Sequence, residues 1–355
     1  GNLEKPKVCG TCGAGDAPLK CPCKAVFYCN TECQGASWRE HRKVCTWDLE
    51  RKLERERGRV GEDDISIGQA CLELGDLFEQ QDRLCKAEEK YLEALRIFVA
   101  VQGERSENAP CVQMNLGLIY DNQGRVDDAL RMKKRGLRGY RRMYGDGHLK
   151  VAMALSNVGI CLGKKGQLER AMAKFEEAHA MYVGLYGEDH ETVAMVLGHR
   201  ANVLNDQGKF AEALAMHEKA LAIRRRTLGS DHDDIASSLL NLGSGYDNLG
   251  MAEEALSRFE EGLGIMRRIH PEKTVLEGQF LDGIGHVYYA QGRLEDSLAW
   301  HHKAYRIYRK TLGAESAEVG RELGSIAQAL QRQGKVEEAI QKFEEGLAIL
   351  RRAVG

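Results

Sequence analysis

The chain keeps a beat of 42 residues. Glycines stand at Gly124, Gly166, Gly208, Gly250, Gly292 and Gly334, each 42 after the last. One step back falls on Asp82, a residue that also tolerates the left-handed backbone such a turn needs. A second series runs through Gly61, Gly103, Gly145, Gly187, Gly229, Pro271, Gly313 and Gly355. A period of this length, unbroken by insertions, means one supersecondary unit repeated, each unit burying its apolar face against the next. Inside each unit the pattern is helical. Leu116-Gly117-x2-Tyr120, Val158-Gly159 and Leu242-Gly243-x2-Tyr246 precede the turn. Five residues after it comes Ala129, Ala171, Ala213, Ala255, Ser297 or Ala339, with Ala87 in the first unit, and Phe175, Phe259 and Phe343 follow four further on. Each unit is expected to be helix, glycine turn, helix, short loop, giving a mainly α chain.

Composition narrows the function. Lys plus Arg number 51 against 53 Asp plus Glu, a formal charge of −2, which argues against nucleic acid as a partner. No apolar run approaches membrane-spanning length; Ile97-Phe98-Val99-Ala100-Val101 is among the longest. Gly-x4-Gly-Lys-Ser/Thr, His-Glu-x2-His and Gly-x-Ser-x-Gly are all missing, and Gly243-x-Gly245 has no strand before it. No catalytic residues are indicated.

Seven of the 11 cysteines precede residue 46: Cys9, Cys12, Cys21, Cys23, Cys29, Cys33 and Cys45, with His41 among them. Seven is odd for disulfides, whereas seven thiolates and one imidazole make eight ligands, enough for two tetrahedral zinc ions. Cys9-x2-Cys12, Cys29-x3-Cys33 and His41-x3-Cys45 have the short spacing that brings two ligands to one ion. Eight ligands leave no open position, so the zinc is structural, and about 40 residues with little apolar surface depend on it to fold. Cys71, Cys85, Cys111 and Cys161, scattered through helical pattern, are expected in the core.

The same segment, with Phe27-Tyr28-Cys29-Asn30-Thr31-Glu32-Cys33-Gln34, Trp38, His41 and Cys45, resembles a MYND zinc finger. That resemblance implies interleaved ligands: Cys9, Cys12, Cys29 and Cys33 on one Zn2+, Cys21, Cys23, His41 and Cys45 on the other. The Cys21-Pro22-Cys23 knuckle is one residue shorter than the family's usual pair. A RING-type ubiquitin ligase also interleaves two zincs but places its histidines mid-order, and His41 is seventh of eight. The resemblance further implies that Gln34 and Trp38, four apart, contact short proline-containing peptides. The 42-residue units resemble tetratricopeptide repeats of the kinesin light chain type, whose linkers are similar to Gly145-Asp146-Gly147-His148, Gly187-Glu188-Asp189-His190 and Gly229-Ser230-Asp231-His232. The implied fold is a small double-zinc finger followed by an α-solenoid: finger 9–45, charged helical linker 46–60, seven repeats 61–355.

His148, His190 and His232 recur with the beat, but neighbouring units are too far apart to share one ion, and capping of the next helix is the expected role. The pairs Arg141-Arg142, Arg225-Arg226, Arg267-Arg268, Arg309-Lys310 and Arg351-Arg352 lie near second-helix ends, where cations complement the helix dipole; a basic edge for an acidic partner is the alternative. Asn115, Asn157, His199, Asn202 and Asn241 sit within first helices, where Asn is a poor helix former. The repeat resemblance places them in a groove, where amides donate to and accept from an extended peptide backbone. Asp121-Asn122, Asn205-Asp206 and Asp247-Asn248 are equally well explained as residues before a turn. In the last unit Phe343, Leu347 and Leu350 are expected to be partly unshielded, meeting a continuation of the chain or a partner.

The expected function is a non-enzymatic adaptor or scaffold in the cytoplasm, the nucleus or both, its finger holding a short motif and its repeats an extended segment. Two alternatives stand beside it. A fragment of a MYND-containing lysine methyltransferase would need a SET domain, for which 1–355 has no unassigned stretch. A kinesin light chain-like cargo adaptor would be supported by a heptad coiled coil, which the sequence lacks.

Overall fold

A computed structural model describes residues 19–20, 27–28, 46–103 and 106–354. The chain divides into two compact units, 1–166 and 167–355. In the first, β1 (Leu19–Lys20) pairs antiparallel with β2 (Phe27–Tyr28), Leu19 opposite Tyr28. Then come α1 (Thr46–Val60), the pair α2 (Ile65–Gln80) and α3 (Leu84–Gln102), the pair α4 (Ala109–Asn122) and α5 (Val126–Tyr144), and α6 (Leu149–Lys164). The second unit begins with α7 (Leu168–Tyr186) and continues with α8 (Glu191–Asp206) on α9 (Phe210–Leu228), α10 (Asp233–Asn248) on α11 (Ala252–Ile269), α12 (Val275–Ala290) on α13 (Leu294–Thr311), and α14 (Ala317–Arg332) on α15 (Val336–Val354). Among the described residues no strand follows Tyr28, and no helix is long and apolar enough to cross a membrane.

The turn series behaves as its spacing requires. Gly124 to Gly334 all have positive φ, and Asp82, without being glycine, adopts φ 55° at the equivalent place. The small residue ahead of each turn has a packing cause. A Cβ on Gly75 would come within 2.5 Å of the Tyr91 ring, one on Gly117 within 2.5 Å of Lys133 Cγ, and one on Gly243 within 2.4 Å of the Phe259 ring. The side chain sixteen residues on therefore lies directly over the glycine, and the two helices of a pair close to ridge-in-groove contact. His148, His190 and His232 cap α6, α8 and α10: each Nδ1 accepts the backbone N–H two residues on, from Lys150, Thr192 and Asp234. Tyr144 stacks on His148 and Tyr186 on His190, each pair 4.3 Å between ring centres.

The charged stretch 46–60 is α1, and it is seated. It packs on α2, buries Leu53 to 2% exposure, and pairs Arg57 with Glu93 of α3. Of the four scattered cysteines, Cys71 and Cys161 are buried as expected, but Cys85 is exposed and Cys111 half-buried. Cys85 lies in the first turn of α3 on its solvent side, and Cys111 lies on the open face of α4. On α15, Phe343 and Leu347 are exposed together with Val336 and Ile340, and Leu350 is half-buried, packed against Gly320.

Candidate functional site

Cys9, Cys12, Cys21, Cys23, Cys29, Cys33, His41 and Cys45, and with them Gln34 and Trp38, lie outside the described residues. The donor set fits zinc by its chemistry: seven soft thiolates and one imidazole match the ligands structural zinc takes.

Within each unit, the first helices of the repeats leave the same register positions open to solvent. On α4 the residues left open to solvent form a stripe of Cys111, Asn115, Leu118 and Asn122. The same repeat positions give Met153, Asn157, Ile160 and Lys164 on α6, Met195, His199, Asn202 and Asp206 on α8, and Ser237, Asn241, Ser244 and Asn248 on α10. Spacings of four, three and four keep each set on one helix face. Every residue named for the groove lies on such a stripe: Asn115, Asn157, His199 and Asn241 half-buried, Asn202 exposed. They are not equally free. Asn115 Nδ2 donates to Asp76 Oδ1 at 3.1 Å, and His199 stacks on Phe175 with 5.4 Å between ring centres. Burial, with Arg224 adding to it, holds the His199 imidazole below its ordinary pKa, so its ring is neutral at physiological pH. Asn157 and Asn241 make no side-chain hydrogen bond among the described residues. The stripe also carries apolar members beside its amides. Met153 is 50% exposed and Leu118 44%. Spacing alone indicates them, since Leu118 lies three residues beyond Asn115 and Met153 four before Asn157.

Behind the stripe runs a row of unusual core residues. The position sixteen beyond the small residue is Phe175, Phe259 and Phe343 in three repeats, but Tyr91, Lys133, His217 and His301 in the other four. Polar groups at this depth need partners. The Tyr91 hydroxyl donates to Asp76 and Glu79, both at 2.7 Å. Burial first, and then these two acceptors, push the Tyr91 hydroxyl pKa up. Lys133 is paired with Asp121, whose carboxylate also lies 3.5 Å from the Cys161 thiol. Burial raises the pKa of that thiol and keeps it protonated. His217 is 2% exposed and its Nε2 has no hydrogen-bond partner among the described residues; burial lowers its pKa to about 4.

The basic pairs at second-helix ends are largely used internally. Arg226 binds Asp189, Arg268 binds Asp231 and Arg352 binds Glu315, at 2.5, 2.6 and 2.8 Å. Each joins the loop before a pair to the end of its second helix, so these cations stitch their own repeats. At these exposures such pairs contribute little stability.

Known proteins agree with this architecture. Residues 68–142, 108–183, 192–268 and 278–352 match the tetratricopeptide repeat family, and residues 8–45 match the MYND finger. Among solved structures, BtubC (BKLC) from P. vanneervenii is 25% identical, with TM-score 0.55 over 66% of this chain and 94% of that one. The quorum sensor NprR from B. thuringiensis, in its apo form, is 14% identical with TM-score 0.66 over 88% and 84%. Apo RapI is 15% identical with TM-score 0.65 over 81% and 98%. The last two likenesses concern the fold. The repeats and the finger are protein-interaction modules, and the finger implies zinc. The chain belongs to the tetratricopeptide repeat family and carries a MYND zinc finger ahead of its repeats.

Proposed function

We propose that this protein is a non-enzymatic adaptor of the cytoplasm, the nucleus or both, and that it recognises its partner at two points. Gln34 and Trp38 of a finger folded on two zinc ions take a short proline-containing motif, and the first-helix stripes take an extended segment. The observation that carries the reading is the recurrence of a solvent-open amide at one register position, Asn115, Asn157 and Asn241, with His199 completing the series. Amides in the middle of a helix cost helix propensity. At Asn157 and Asn241 no internal hydrogen bond offsets that cost among the described residues, and both groups remain able to donate to and accept from a peptide backbone. Apolar neighbours such as Met153 and Leu118 supply contact area beside them. Linking two weak sites raises the effective concentration at the second, so affinity exceeds that of either site alone.

The test is affinity capture with the intact protein, Trp38→Ala, and the double variant Asn157→Ala, Asn241→Ala, which spares the internally bonded Asn115. Each variant should retain a partner weakly, and their combination should lose it. Undiminished capture by all three refutes two-point recognition. Methyl transfer from S-adenosylmethionine by the purified chain would replace the adaptor reading with an enzymatic one.

A further inference from the structure

Three helices of the second unit bring two imidazoles and two carboxylates together. Asp282 and His286 lie on α12, His301 on α13 and Glu322 on α14. Asp282 Oδ1 is 3.3 Å from His286 Nε2 and 3.2 Å from His301 Nδ1, and Glu322 Oε1 is 2.8 Å from the same Nδ1. Ligands bound tetrahedrally at roughly 2.0–2.1 Å stand about 3.3 Å apart along the edges of the tetrahedron. Donor atoms of Asp282, His286 and His301 all lie within 4.8 Å of one another. The cluster is deep, with the His301 and Glu322 side chains 1% and 2% exposed. Asp282 Oδ1 is buried and, although beside two rings, makes no aligned hydrogen bond.

The register shows how unusual this is. The position of Asp282 is Leu240 one repeat earlier, that of His301 is Phe259, and that of Glu322 is Phe280. Two core positions and one half-buried position turn polar together, in one place. Burying two carboxylates where neighbouring repeats bury hydrocarbon costs several kcal/mol unless their charge is compensated. With neutral imidazoles, the form that binds metal, the four side chains carry −2, which one divalent cation cancels; without metal, Asp282 and Glu322 outweigh burial and hold a proton on His301, its pKa raised to about 9, and a bound ion takes that proton's place. Imidazole and carboxylate donors suit a first-row transition ion, zinc foremost among those biologically abundant.

We propose that Asp282, His286 and His301 form a structural site for Zn2+ that staples α12 to α13, with the buried Glu322 carboxylate of α14 beside the His301 ring, separate from the thiolate sites of the finger. The 45% exposed His286 gives the ion its way in.

The test uses the full chain dialysed against buffered micromolar Zn2+, with bound metal counted by elemental analysis and melting followed with and without added Zn2+. His286→Ala alters a partly exposed group and leaves the core intact; His302→Ala, on the neighbouring residue, is the control. The His286→Ala protein should hold one equivalent less zinc than the wild type and the control, and should lose the Zn2+-dependent rise in melting temperature. Equal zinc content in all three proteins, or an unchanged Zn2+-dependent rise in His286→Ala, overturns the site.

Discussion

Lys133 occupies a core position filled by phenylalanine in other repeats, and its ammonium is held by the carboxylate of Asp121, the two side chains 3% and 5% exposed. The pair spans α5 and α4, its stem packed over Gly117. A buried ion pair is poor evidence of net stability but very sensitive to loss of one member. Lys133→Ala should therefore cost up to about 3–5 kcal/mol, because it leaves the buried Asp121 carboxylate with only the half-exposed Lys164 ammonium, 3.4 Å away. Lys133→Phe combined with Asp121→Asn, which restores the residue type of Phe175 and Phe259, should recover most of it. Urea unfolding midpoints of the two variants check this; equal destabilisation by both would show that the charge pairing is not what Lys133 contributes.

His217 makes stability depend on pH. The unfolded chain takes up a proton on this residue near pH 6.5, whereas the buried ring does so only near about 4. Its contribution is therefore complete above the unfolded value and is lost as pH falls toward the folded one. Between about pH 7.5 and 5.5 the loss should be roughly 1.4 kcal/mol. His217→Phe should remove that component, so the wild-type-minus-variant stability difference should fall by this amount over the same range. A difference that does not move with pH would show the ring is not held neutral.

Gly243 and Gly198 make a matched pair. A Cβ at Gly243 would meet the Phe259 ring at 2.4 Å, whereas one at Gly198 meets nothing within 4 Å. Gly243→Ala should destabilise by about 1–3 kcal/mol through overpacking. Gly198→Ala, in the interior of α8, should stabilise by up to about 1 kcal/mol through lost backbone entropy of the unfolded chain. Thermal melts of the two variants should move in opposite directions.

Chelation should separate finger from repeats. The helices α1 to α15 rest on hydrocarbon burial, while a segment of about 40 residues rich in cysteine has little of it. Excess EDTA should leave most of the helical circular dichroism intact and abolish binding of a proline-containing peptide to the finger. Loss of the bulk helical signal would show that the repeats themselves require metal.

How much of this was legible beforehand differs from residue to residue. The turn positions were, including Asp82, because left-handed backbone is a local demand that few residues meet and the period repeats it. Caps such as His148 were legible for the same reason: capping is settled within a few residues. Cys85 and Cys111 were misplaced because a helical pattern gives the apolar face only on average, and a single cysteine fits either side. The stripe was half legible. Its amides stand out by their poor helix propensity, but Leu118 and Met153 look like core until neighbouring helices show which face is covered.

The helices, their turns, the 42-residue repeat and the ligand inventory of the finger are written in the residues themselves, since each depends on chemistry within one unit or one spacing. The pairing of the buried polar groups comes from the packing of helix on helix. That Lys133 meets Asp121, that Tyr91 meets Asp76, and that His301 meets Asp282 and Glu322 follow from helices packing at a specific register. Buried charge tolerates no approximate partner, because in a medium without water a displacement of an ångström or two separates a satisfied group from a costly one.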